Sequence, residues 1–131
     1  MRSGTDITVQ SVPCGGDPDI NNTGAIDVDG VGGTQAFTID MSGGQFTVGG
    51  NEIDIDVDLG DGNDTLVVRG GSSAETIIAG VNGINLNNDG NEDVTLANTE
   101  VVTLEGGGGD DTPSGAGGAG TGAAFASALL R

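Results

Sequence analysis

From Ile53 to Leu59 apolar and acidic residues alternate without a break. An extended backbone therefore puts Ile53, Ile55, Val57 and Leu59 on one face and Asp54, Asp56 and Asp58 on the other. That pattern predicts a strand. Further β-prone runs are Asp6 to Val9, Ala25 to Asp29, Ala36 to Asp40, Gln45 to Val48, Thr65 to Arg69, Glu75 to Ala79, Ile84 to Leu86, Val94 to Ala97 and Val101 to Glu105. Glycine, asparagine and aspartate separate them, and none has the period of an amphipathic helix. The predicted class is all-β. Short strands at this spacing suit a sandwich or a solenoid, and recurring strand-turn units with small inward residues favour a parallel β-solenoid over residues 1–113.

The turn after the alternating run, Gly60-Asp61-Gly62-Asn63-Asp64, combines glycines that bring backbone carbonyls together with a carboxylate at its end. Oxygen donors without nitrogen or sulfur suit a hard cation such as Ca²⁺. Gly106-Gly107-Gly108-Gly109-Asp110-Asp111-Thr112 repeats the glycines, acid and threonine at an offset of 47. A weaker copy lies 29 residues upstream, where Ile26, Val28, Gly33, Phe37 and Ile39 fall at the positions of Ile55, Val57, Gly62, Leu66 and Val68. Gln35 there replaces Asp64, so that copy reads as a rung without a metal.

Leu59 to Val67 and residues 106 to 114 resemble the glycine-rich nonapeptide of the RTX (hemolysin-type) calcium-binding repeats, G-G-x-G-x-D-x-U-x with U a large apolar residue. Leu59 departs from the first glycine and Pro113 from the apolar position. The resemblance implies a β-roll-like stack of coils with Asp64 and Asp111 as carboxylate ligands and the carbonyls of Gly60, Gly62, Gly107 and Gly109 completing the shell. Asp61 and Asp110 in the same turns join the candidate metal set. It also implies an extracellular or cell-surface location. The longer strands between the copies depart from the family's tandem spacing.

Charge narrows the function classes. The chain has 20 acidic and 3 basic residues, no histidine, and a formal charge of −17, which excludes a nucleic-acid or anionic-membrane surface and makes divalent cations the natural partners. Successive outward aspartates lie roughly 6.7 Å apart and repel by roughly 0.6 kcal/mol in water, so that face is equally a solvated surface or one that attracts cations. Without histidine or lysine the usual general bases are missing, and without tryptophan or tyrosine nothing stacks on a sugar ring beside a carboxylate pair. No enzymatic activity is expected. An extracellular protein or polysaccharide partner, as in an adhesion domain, is the alternative to a calcium module. Cys14 is the single cysteine and reads as an incidental loop residue. No signal peptide of the Sec type and no membrane span is expected.

Two segments read as bystanders. Asn85, Asn87, Asp89, Gly90 and Asp93 occupy positions 1, 3, 5, 6 and 9 of an EF-hand-like loop, but Leu96 stands at position 12 where a glutamate is required. A polar loop between coils is the expectation there. Residues 114–131 are expected to form a flexible glycine- and alanine-rich tail outside the core, in preference to a short terminal helix over Ala123 to Leu130.

Overall fold

Alternation along the chain becomes an alternation of inner and outer faces in the computed structural model, which is all-β. The structure describes residue 16 and residues 18–46, 52–118 and 120–131, with the backbone of residues 2–3, 6–9 and 12–13. β1 (Arg2–Ser3), β2 (Asp6–Val9) and β3 (Val12–Pro13) form a small antiparallel sheet. Cys14 lies outside the described residues, as do residues 47 and 48 of the expected run Gln45 to Val48; Gln45 and Phe46 form no strand.

The remaining strands are β4 (Ala25–Asp29), β5 (Ala36–Asp40), β6 (Asp54–Asp58), β7 (Thr65–Arg69), β8 (Thr76–Ala79), β9 (Gly83–Asn85), β10 (Val94–Ala97), β11 (Val101–Glu105), β12 (Thr112–Ser114) and β13 (Ala128–Leu130). Six of them make one sheet in the order β12-β8-β9-β10-β6-β4, and four make a second in the order β13-β11-β7-β5. From β4 to β7 and again from β10 to β13 the chain changes sheet at every turn. The second sheet is parallel throughout. In the first, β4, β6 and β10 run parallel, as do β8 and β12, whereas β9 is antiparallel to both neighbours. That reversal corrects the expectation of an all-parallel stack. It arises because Gly80 and Gly83 close a tight hairpin through mutual backbone hydrogen bonds, folding the chain back within one sheet.

Register follows the apolar pattern, since a one-residue slip would turn the whole inward set to solvent. Ile26 pairs with Ile55, Val28 with Val57, Phe37 with Leu66 and Ile39 with Val68, which is the 29-residue offset seen in the sequence. Leu66 and Val68 pair in turn with Val102 and Leu104. The inward side chains of both sheets, Ile55, Val57, Leu66, Val68, Val102 and Leu104 among them, join one apolar cluster. On the second sheet's outer face Arg69 bridges three strands, with ion pairs to Asp40 at 3.4 Å and Glu105 at 2.9 Å.

Residues 114–131 are tied to both sheets. β12 pairs with β8, β13 pairs with β11, Gly117 N–H donates to the Ala79 carbonyl, and Phe125 packs against the apolar cluster. Neither a loose tail nor a helix forms over 123–130, because Ala128–Leu130 continues the second sheet as a parallel strand. Among the described residues no helix is long and apolar enough to cross a membrane.

Candidate metal centre

The turn from Leu59 to Asp64 lies directly on the turn 30–35 of the preceding pass. Gly30 N–H donates to the Asp58 carbonyl and Gly33 N–H to the Asp61 carbonyl, both at 2.6 Å. Gly60 takes φ +79°, and a Cβ on Gly62 would run into the Gly33 carbonyl, so glycine at both positions permits the stacking. Asp64 closes the turn and is 0% exposed. Its Oδ1 accepts a 2.6 Å hydrogen bond from Gln35 N–H, and its own N–H donates to Glu100 Oε2 at 2.8 Å. Its Oδ2 is buried and has no hydrogen-bond partner.

The same position recurs. Asp64, Glu75, Asp93, Glu100 and Asp111 each stand immediately before a strand, β7, β8, β10, β11 and β12 respectively. Each carboxylate accepts a backbone N–H, from Gln35, Gly71, Leu86, Asp64 and Glu75 in that order. For Asp64, Glu100 and Asp111 the donor belongs to the turn of a neighbouring pass, whereas Glu75 and Asp93 accept from their own turn or loop. A turn packed on another turn leaves N–H groups that the strand pairing does not serve, and a carboxylate, which only accepts, is a strong partner for them. Gln35 fills the position before β5 as a neutral residue, and its Nε2 donates to the carbonyls of Val31 and Leu59.

The structure rearranges the sequence-predicted site. Asp64 and Asp111 do not share a column of turns: the 106–111 turn lies on the 70–75 turn, 36 residues earlier. The 47-residue offset therefore joins turns of different columns, being one full pass plus one further strand and turn. Gly107 and Gly109 take φ +95° and +122°, and both approach the backbone of residues 70–74 closely. Asp61 and Asp110 are exposed at the turn tips, and Asp111 is half-buried.

Glu75 and Glu100 escaped the sequence reading, which tracked acids next to glycines, and Asp93 was weighed only as position 9 of the EF-hand-like loop and set aside with it. The signal that finds them is an acid directly before the first residue of a β-prone run.

Glu75 is buried beneath the 106–111 turn. Burial, reinforced by the charge of Asp111 and opposed by the Gly71 N–H, holds its carboxyl above the ordinary 4.5. Asp40 shows the opposite balance: burial raises it, but hydrogen bonds from Ser42 and the charge of Arg69 bring it below the ordinary 3.8. A group raised on folding adds stability as pH falls through its folded pKa, while a lowered one loses its contribution as pH falls through its own. In the calcium-free protein Glu75 is thus expected to add stability as pH falls towards its ordinary 4.5, and Asp40 to lose its contribution as pH falls below its ordinary 3.8. Urea denaturation across pH tests this: Glu75→Gln is expected to lose the gain between pH 7 and 4.5, and a pH profile identical to that of the native chain contradicts it.

The loop from Asn85 to Asp93 is a run of side-chain-closed turns. Asn85 Oδ1 accepts the N–H groups of Asn87 and Asn88, Asn87 Oδ1 that of Asp89, and Asp89 Oδ1 that of Asn91. Asn88 and Gly90 take φ 59° and 108°. Asp93, 4% exposed, accepts the Leu86 N–H at 2.6 Å through Oδ2, while its Oδ1 is buried without a partner. One carboxylate oxygen each from Glu52, Asp89 and Asp93 lie within 4.8 Å of one another. A hydrogen bond shared with Asp89 raises the Glu52 carboxyl above its usual range and lowers that of Asp89. Leu96 pairs with Val57 inside the sheet, so position 12 of the loop supplies no ligand.

Comparison with protein-family models, with curated proteins and with solved structures returns no match.

Proposed function

We propose that this chain is a calcium-binding module of the extracellular space or cell surface, a β-solenoid whose stacked turns are stabilised by the ion and which acts as structure rather than as a catalyst. The solenoid reading is supported by the successive passes, whose strands pair in parallel at offsets of 29 residues for β4–β6 and β5–β7, 36 for β7–β11 and β8–β12, 39 for β6–β10 and 26 for β11–β13. One observation carries the calcium reading. Among the described residues the buried side-chain oxygens that lack a hydrogen-bond partner are Asp64 Oδ2 and Asp93 Oδ1, both carboxylate oxygens. An unmatched buried carboxylate oxygen is costly, and a bound cation removes that cost.

The donor set fits a hard ion. By resemblance to the RTX nonapeptide, Asp64 with the carbonyls of Gly60 and Gly62 would hold one calcium, and Asp111 with those of Gly107 and Gly109 another. When bound, the ion supplies positive charge where the fold has concentrated acids. The chain's own part is to hold Asp64 in place through the Gln35 and Glu100 hydrogen bonds and to exclude water from its carboxylate.

A second reading, a docking domain for a cationic partner, draws on the outer face of the first sheet. Asp27 lies beside Asp56 and Asp29 beside Asp58, lining one shallow trough.

Isothermal titration calorimetry tests the leading reading. Saturable calcium binding is expected at a dissociation constant of about 10⁻⁴ to 10⁻³ M, the range of extracellular modules. Asp64→Asn is expected to remove one binding event, and magnesium is expected to compete poorly. Absence of saturable calcium binding in that range contradicts the proposal.

A further inference from the structure

The register between β6 and β10 brings an acid to the loop that the loop itself lacks. Ile55 pairs with Val94, so Glu52 and Asn91, each three residues earlier, come side by side; Asn91 Nδ2 donates to Glu52 Oε2 at 3.0 Å. From the other side Asn87 Nδ2 donates to Asp89 Oδ2 at 3.2 Å, aiming that carboxylate. Asp93 completes the group from beneath, with its buried Oδ1 unpartnered. Among the described residues no ion pair reaches these three acids. Among the described residues the salt bridges are both made by Arg69, to Asp40 and Glu105.

The donor set indicates the ion. Three carboxylate oxygens gathered within 4.8 Å of one another from a loop and a neighbouring strand suit the irregular, flexible oxygen shell of calcium, whereas magnesium demands near-ideal octahedral geometry and gives up its waters reluctantly.

We infer that Glu52, Asp89 and Asp93 form a calcium site in which Glu52, delivered by the neighbouring strand, takes the part of the glutamate missing from position 12 of the loop. The site stands apart from the Asp64 turn and does not depend on it. Asn85 and Asn87 serve it indirectly, since their side-chain oxygens are spent on shaping the loop. Calcium there would fasten residue 52 to the 89–93 loop and so pin the β6–β10 register.

The test is a ¹⁵N NMR titration of the full chain with calcium chloride, with magnesium chloride as control, following the amides of Leu86, Gly90 and Asp93. Saturable shifts of these amides are expected with calcium. Glu52→Gln and Asp89→Asn, both at exposed positions and close in shape to the native acids, are expected to raise the dissociation constant about tenfold or more. Asp64→Asn is expected to leave these amides' response unchanged, and shifts at residues 59–64 report the other site separately. The inference is overturned if the loop amides do not respond to calcium, if Glu52→Gln responds like the native chain, or if magnesium is bound equally well.

Discussion

Gly107→Ala is expected to lower stability by about 2 to 5 kcal/mol, combining the left-handed backbone penalty with overpacking against a rigid neighbour. At φ +95° any L side chain is strained, and the added Cβ would overlap the Gly71 carbonyl and come within 2.9 Å of the Gly70 oxygen. Backbone atoms cannot rotate aside as a flexible side chain can, so the 106–111 turn would have to lift from the 70–75 turn. The Glu75 and Asp111 contacts would open with it. Gly108→Ala is the internal control. Its Cβ would meet nothing closer than 3.7 Å, and its backbone carries no positive φ, so little change is expected. Alanine keeps the carbonyl at either position, hence a loss confined to Gly107 reports packing and not a missing ligand. For a domain of this size the difference corresponds to roughly 10 °C or more in melting temperature. Equal stability of the two variants would mean that these turns are not stacked.

The second large effect is that of Asp64→Ala, and it separates bracing from ion binding. In chelator the variant loses the acceptor for Gln35 N–H, a hydrogen bond to a buried charged group, at a cost of about 1 to 3 kcal/mol. In calcium it also loses the contribution of a bound ion, about 2.7 kcal/mol at a hundredfold excess over the dissociation constant. The expected result is a cost in calcium about two to four times that in chelator. Asp64→Asn retains an acceptor for Gln35 and is expected to lose mainly the calcium-dependent part. A cost identical in both buffers would make Asp64 a bracing residue alone.

Much of the fold was legible because period-2 alternation is a direct consequence of the pleat. Ile55 and Val57 face in while Asp54, Asp56 and Asp58 face out, and the 29-residue match from Ile26 to Ile55 and from Phe37 to Leu66 is the strand register itself. The last strands were not legible. β12 and β13 are held by pairing to β8 and β11, and Pro113 and the Gly/Ala-rich residues between the two strands carry no alternation to announce it. The hairpin at Gly80 to Gly83 hid for a similar reason, since an apolar run reads alike in either strand direction.

Of the acids that stand before strands, only some were legible from glycine spacing. Glycine-acid turns marked Asp64 and Asp111, but glycine spacing could not tell one column of turns from the next. Glu75 and Glu100 carry the same bracing role without a G-x-D context, and only their place before a strand reveals it. Glu52 and Asp89 are brought together by the β6–β10 register, which no local motif encodes.

The central claim is that calcium stabilises this stack of turns, and far-UV circular dichroism of the chelated protein during a calcium titration tests it most directly. The account predicts a β-signal that grows or gains thermal stability as calcium is added, with magnesium much less effective. A spectrum and melting temperature indifferent to calcium would contradict it.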